Sequence, residues 1–175
     1  AVFLERFWPR PGGQRIAVMM PNDLRVMGVH FAAAAMQAAV VNVNTHATAN
    51  ELAYVLEDSS PLSVLVAHVS YQNVVCGALD LLAGDGSVSV PPVCWVGERG
   101  SVWMQRRHHE HDTDTFFDEE IGKVDLSDGS GERFGGKAGE EFGFGVHVNP
   151  ESPYQIYYTS GTTGKPKQVM LTQSI

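Results

Sequence analysis

Residues Tyr154–Thr172 read YQIYYTSGTTGKPKQVMLT. Apolar, aromatic and β-branched residues flank a centre of Gly, Thr, Ser, Lys and Pro, so the stretch reads as a strand, a polar loop and a second strand. A hairpin of this kind, set behind segments that alternate strand and helix, predicts an α/β fold with helices layered on a parallel sheet.

The centre of the hairpin has the composition of a phosphate grip. Gly161 and Gly164 let the main chain approach a ligand closely because they carry no Cβ. Thr159, Ser160, Thr162 and Thr163 add hydroxyls, and successive backbone N–H groups in such a loop form an anion-binding nest. Lys165 and Lys167 gather positive charge, and Pro166 between them fixes its own φ. Gly, Thr, Ser and Pro also make ordinary polar turns. What favours the phosphate reading is the pair of lysines one residue apart in a chain of formal charge -8, where cations are scarce.

Spacing separates this loop from two other phosphate grips. The Walker loop needs four residues between its glycines and a Ser or Thr after the lysine. Here two residues separate Gly161 from Gly164 and Pro166 follows Lys165, which disfavours a nucleoside-triphosphatase of that type. The dinucleotide fingerprint opens a helix, whereas Lys167–Thr172, KQVMLT, is β-prone.

On these residues, Tyr154–Thr172 resembles the signature loop of the AMP-forming adenylating enzymes, which include acyl-CoA synthetases, luciferases and peptide-synthetase adenylation domains. A looser likeness runs from Arg15 to Ala67, through Pro21-Asn22-Asp23, a small-residue helix and ELAYVLEDS at 51–59. Val69 to Asn149 shows little of it. The resemblance implies residues 1–175 as part of the large N-terminal domain of a ligase, with 154–172 as its phosphate-loop hairpin. In that family a carboxylic acid attacks the α-phosphate of ATP, giving acyl-adenylate and pyrophosphate, and a thiol, CoA in acyl-CoA synthetases, then displaces AMP. ATP, magnesium and CoA are the implied cofactors and co-substrate, and fatty acid metabolism is the implied setting.

Carried over by position, Thr159, Ser160, Gly161, Thr162, Thr163 and Gly164 would wrap the β- and γ-phosphates while Lys165 and Lys167 neutralise them. Gln168 stands where the family usually has glycine, and Gln173 where many members have histidine. In relatives the adenine contacts, a ribose-binding acid, the hinge and the catalytic lysine all follow this loop. The chain, running from Ala1 to Ile175, is therefore expected to be an incomplete N-terminal fragment with no catalytic residue of its own, unable alone to form acyl-adenylate. Fatty, aromatic and short-chain acids all stay open as substrates, and so does the acceptor thiol.

Composition bounds the setting. A chain of 175 residues can bury one core, and a 43% hydrophobic content is that of a globular protein. No run approaches the ~18 apolar residues of a membrane span. Twenty Asp and Glu against twelve Lys and Arg argue against a nucleic-acid-binding protein. Cys76 and Cys94 are too few for a disulfide framework and read as reduced, small apolar residues, which points to an intracellular, cytoplasmic setting. A chain starting at Ala1 leaves targeting open.

The alternation is legible segment by segment. Arg15–Met20 is strand-like; Pro21 ends it and Asn22 is expected to cap a helix in which Leu24, Met27, Phe31, Ala34, Ala35 and Ala38 recur at helical spacing to about Ala39. Phe31 and Met36 are candidate core residues, and Ala32–Ala35 permit close helix packing. Val40–Val43 is a strand. Thr48 and Glu51 form a capping box opening a helix through Glu57, which ends near Pro61. Leu62–Ala67, Tyr71–Ala83 and Pro92–Val96 follow as strand, helix and strand. Tyr157 and Tyr158, adjacent in a strand, must face opposite sides.

Residues 98–149 are rich in glycine and charge, and the periodicity fades; they read as a flexible surface insertion. Thr115–Ile121, TFFDEEI, is expected to form a short helical island there. His108, His109 and His111 invite a metal reading, but three histidines within four residues of a polar loop do not readily converge on one ion, and no metal site is assigned. The alternative to a ligase fragment is a phosphate-binding module without chemistry. An incomplete parallel sheet would also expose an edge, predicting poor solubility.

Overall fold

In the computed structural model of the chain, the described residues are 14–86, 88–97, 115–116, 150–159 and 165–172. Eleven segments follow one another: β1 (Arg15–Met19), α1 (Leu24–Ala35), β2 (Ala39–Asn42), α2 (Ala49–Asp58), β3 (Val64–His68), a 3-10 turn (Val69–Tyr71), α3 (Gln72–Asp85), β4 (Val93–Val96), β5 (Thr115–Phe116), β6 (Pro153–Thr159) and β7 (Lys167–Thr172). The strands form one sheet in the order β5-β4-β3-β1-β2-β6-β7. Every neighbouring pair is parallel except β6 and β7, which form the antiparallel hairpin.

Strands buried on both faces read as apolar runs, and β1 from Ile16, β3 up to Ala67 and all of β4 do. Alternate residues feed two cores. Ala17, Met19, Val41, Leu65, Ala67, Trp95 and Ile156 pack with Leu52, Leu56, Val75 and Leu82 of α2 and α3. Ile16, Val18, Val40, Val64, Val66 and Cys94 pack with Val29 and Ala33 of α1 on the other face. One helix therefore covers one face of the sheet and two cover the other.

Local chemistry sets the ends of these elements. The Thr48–Glu51 capping box forms as expected: Thr48 accepts from the Glu51 backbone and the Glu51 carboxylate accepts from Thr48. α3 ends at Gly86 in the left-handed region, φ 64°. β4 ends at Gly97, φ 126°, where a Cβ would sit 2.6 Å from Val69 Cγ2.

Four expectations are corrected. Asp23, not Asn22, caps α1, accepting from Arg25 N, because its carboxylate also pairs with the Arg25 guanidinium at 2.8 Å. α1 stops at Ala35, since Gln37 turns into positive φ and Ala39 already pairs with β1. Phe31 is 67% exposed rather than core, because the sheet is met by the small side chains Val29 and Ala33, which leaves Leu24, Met27 and Phe31 facing outward. Thr115 and Phe116 are strand rather than helix: they pair with Cys94 and Trp95, satisfying the open edge of β4 with β-prone residues. The remainder of 98–149, including His108, His109 and His111, lies outside the described residues.

Candidate functional site

Five parallel strands, β1 to β4 and β6, end on the same edge of the sheet, where open α/β sheets take their ligands. β6 runs out there at Thr159, and β7 returns from Lys167 in register with it, Thr159 opposite Lys167, Tyr158 opposite Gln168 and Tyr157 opposite Val169. The hydroxyl of Thr159 donates to the Lys167 carbonyl at 3.5 Å across the mouth of the hairpin. Thr159, Lys165 and Lys167 are all exposed. The opposed pair Thr159 and Lys167 shares one face of the hairpin, while Lys165, two residues earlier, lies against Tyr54 on the α2 side of the same end of the sheet. Ser160, Gly161, Thr162, Thr163 and Gly164 lie outside the described residues.

What sets this hairpin is α2. The Tyr54 hydroxyl donates to the Pro166 carbonyl at 3.2 Å, and the Lys165 ammonium lies 5.5 Å from the centre of the Tyr54 ring. One turn further, the Asp58 carboxylate accepts from the Tyr158 hydroxyl at 2.7 Å. The two tyrosine rings meet edge to face, centroids 6.4 Å apart. Burial, reinforced by the hydrogen bond to Asp58, pushes the Tyr158 phenol well above its ordinary ionisation range. Sequence reasoning missed Tyr54 and Asp58. Their i, i+4 spacing within ELAYVLED places them on one helix face, but nothing local tells that face from a solvated one.

The other face of β6 carries a second polar group. Gln155 Nε2 lies 3.5 Å from His30 Nδ1 on α1, and the Tyr157 hydroxyl donates to Gln155 Oε1. Burial pulls the His30 pKa below its ordinary value, against a hydrogen bond with Asn42 that favours the charged form. Tyr157 and Tyr158 thus do face opposite sides of the sheet. Near the ends of β1 and β2 an open cleft of about 490 Å³ is lined by Met20, Asn22, Asp23, Met27, Asn42 and Val43 among others. Arg25 holds the Asp23 carboxylate down at about 2, so it stays ionised at neutral pH.

Comparison with known proteins gives these residues a context. A family model described as AMP-binding enzyme matches residues 11–174. A long-chain-fatty-acid–CoA ligase of Mycobacterium tuberculosis is 25% identical over 160 residues, which are 91% of this chain and 25% of that protein. The solved structure of a long-chain-fatty-acid–CoA ligase from Archaeoglobus fulgidus shares the fold with a TM-score of 0.64 at 23% identity, over 98% of this chain and 27% of that one. An anthranilate–CoA ligase in complex with anthranoyl-AMP matches with a TM-score of 0.67 at 17% identity, over 98% of this chain and 27% of that one. The chain spans about a quarter of the length of the curated relatives it matches. Among the described residues no helix is long and apolar enough to cross a membrane.

Proposed function

This chain belongs to the AMP-binding enzyme family, and from that membership we propose that its β6–β7 hairpin grips the β- and γ-phosphates of ATP in an acid–thiol ligase of the acyl-CoA synthetase type. The observation that carries the reading is the opposed pair Thr159 and Lys167, with Lys165 two positions away, all exposed, at the carboxyl end of β6. Ser160 to Gly164 join the grip in this proposal, contributing backbone N–H groups and hydroxyls.

In the reaction proposed, a carboxylate oxygen attacks the α-phosphorus, the bond from that phosphorus to its bridging oxygen breaks, and pyrophosphate leaves. A thiol sulfur, of CoA in this reading, then attacks the acyl carbon, loses its proton and releases AMP. The residues of this chain act on the first step. Lys165 and Lys167 offset the charge that gathers on the leaving pyrophosphate, and Thr159 orients it. Magnesium would accompany the phosphates in this reading and share the neutralisation of their charge with Lys165 and Lys167. A fatty acid is the acid we favour, because the Mycobacterium relative is named for long-chain fatty acids. An intracellular setting, the cytoplasm in this reading, supplies both ATP and CoA.

Calorimetric titration of the chain with ATP and with inorganic triphosphate tests the grip. Replacing Lys165 and Lys167 together by Ala removes two charge-assisted contacts, each worth about 1.5–3 kcal/mol, so affinity should fall by about 100-fold or more and its salt dependence should flatten. Unchanged affinity in the double variant sinks the reading. Carboxylate-dependent exchange of pyrophosphate into ATP then separates a ligase from a module that only binds.

A further inference from the structure

We propose that Tyr54 is the positioning residue for Lys165: it holds the ammonium at the exit of the phosphate loop without cancelling its charge. The inference rests on the phosphate-binding reading and extends it to a residue 112 positions from the loop's exit at Pro166.

Three contacts converge on one side chain. The Tyr54 hydroxyl donates to the Pro166 carbonyl at 3.2 Å, which ties down the peptide between the two lysines. The ring takes the Lys165 ammonium at 5.5 Å from its centroid, within cation–π range. Tyr158, edge-on at 6.4 Å and 81°, stops the Tyr54 ring from turning away. The ring itself is half-buried against the core under α2, so it is a fixed platform rather than a surface group.

The choice of an aromatic ring matters for an anion site. A lysine is a flexible stem with a point charge, and binding phosphate must first restrict its rotamers. A carboxylate would restrict them too, but would neutralise the ammonium that the phosphate needs. A ring face attracts the cation through its quadrupole and carries no net charge. The carboxylate four residues on, Asp58, accepts the Tyr158 hydroxyl. Among the described residues Lys165 makes no salt bridge.

The test uses the 175-residue chain with its lysines labelled by reductive ¹³C-methylation, which keeps their charge. Lys165→Arg assigns the signal. Its methyl resonance should be displaced by the Tyr54 ring current, keep that displacement in Tyr54→Phe and lose it in Tyr54→Leu. Inorganic triphosphate affinity should fall about tenfold in Tyr54→Leu and about threefold in Tyr54→Phe, which retains the ring and loses only the hydrogen bond. Circular dichroism melts of both variants check that they fold, and the Phe variant decides the matter if the Leu variant does not. An undisplaced Lys165 signal, or a folded Leu variant binding triphosphate as the parent does, overturns the proposal. If the parent binds no better than the Lys165→Ala, Lys167→Ala double variant, the phosphate reading itself fails and takes Tyr54's role with it. A displaced Lys165 signal in that case shows the contact to be real, which tells the two failures apart.

Discussion

Tyr158 on β6 donates its hydroxyl to the carboxylate of Asp58 at the end of α2 over 2.7 Å, linking residues 100 positions apart. With Tyr54 one turn earlier, Asp58 makes α2 the support on which the hairpin rests.

Tyr158→Phe removes that bond and keeps the ring. The expected loss is about 1 kcal/mol, below the usual range for a bond to a charged group because Asp58 is exposed and water can replace the phenol. A double-mutant cycle with Asp58→Asn measures the coupling directly. Since the folded phenol titrates above its ordinary value of 10.0, the bond's contribution should hold up to about pH 10 and fade above it. An ultraviolet titration of native chain showing Tyr158 ionising normally would contradict this.

His30 is a second titrating group, with the opposite sense. Burial lowers its folded pKa beneath the ordinary 6.5, so the neutral imidazole is the native form. The unfolded chain takes up the proton first as pH falls, so stability present above 6.5 is lost as pH drops through the lowered folded value. The melting temperature of the parent should therefore drop more between about pH 7.5 and about pH 5.5 than that of His30→Asn. Equal drops would show that His30 does not report.

The capping box of α2 should matter for stability. Thr48→Ala leaves the Glu51 N–H without its cap and should cost about 1 kcal/mol, or about 2–4 °C in melting temperature for a chain of this size. Glu51→Gln, which can still accept from the Thr48 backbone, should cost less. A Thr48→Ala chain melting with the parent would refute the assignment.

Gln168 stands opposite Tyr158, and its buried Nε2 has no hydrogen-bond partner among the described residues. A buried donor left unpaired is costly, so an apolar side chain of similar length should do better. Gln168→Met is expected to gain about 1 kcal/mol, read as a higher denaturant midpoint at unchanged slope. A lower midpoint would mean that the amide has a partner.

Periodicity and caps read well where a rule is local. The apolar runs within β1, β3 and β4, the Thr48–Glu51 box and the two strands of 154–172 were all legible, because each depends on residues within a few positions. Phe31 misled, since helical spacing marks an apolar stripe without saying which side of a helix meets the sheet. Thr115 and Phe116 misled because a two-residue strand exists only through its partner, β4.

By itself, then, the sequence determined the alternation of elements, the family and the chemistry offered by Thr159, Lys165 and Lys167, since these follow from residue type and short spacing. The tertiary structure alone decided the strand order, which puts β6 beside β2, and the support of the hairpin by Tyr54 and Asp58. Those contacts join residues 100 or more positions apart, and such pairs meet only after the sheet has closed.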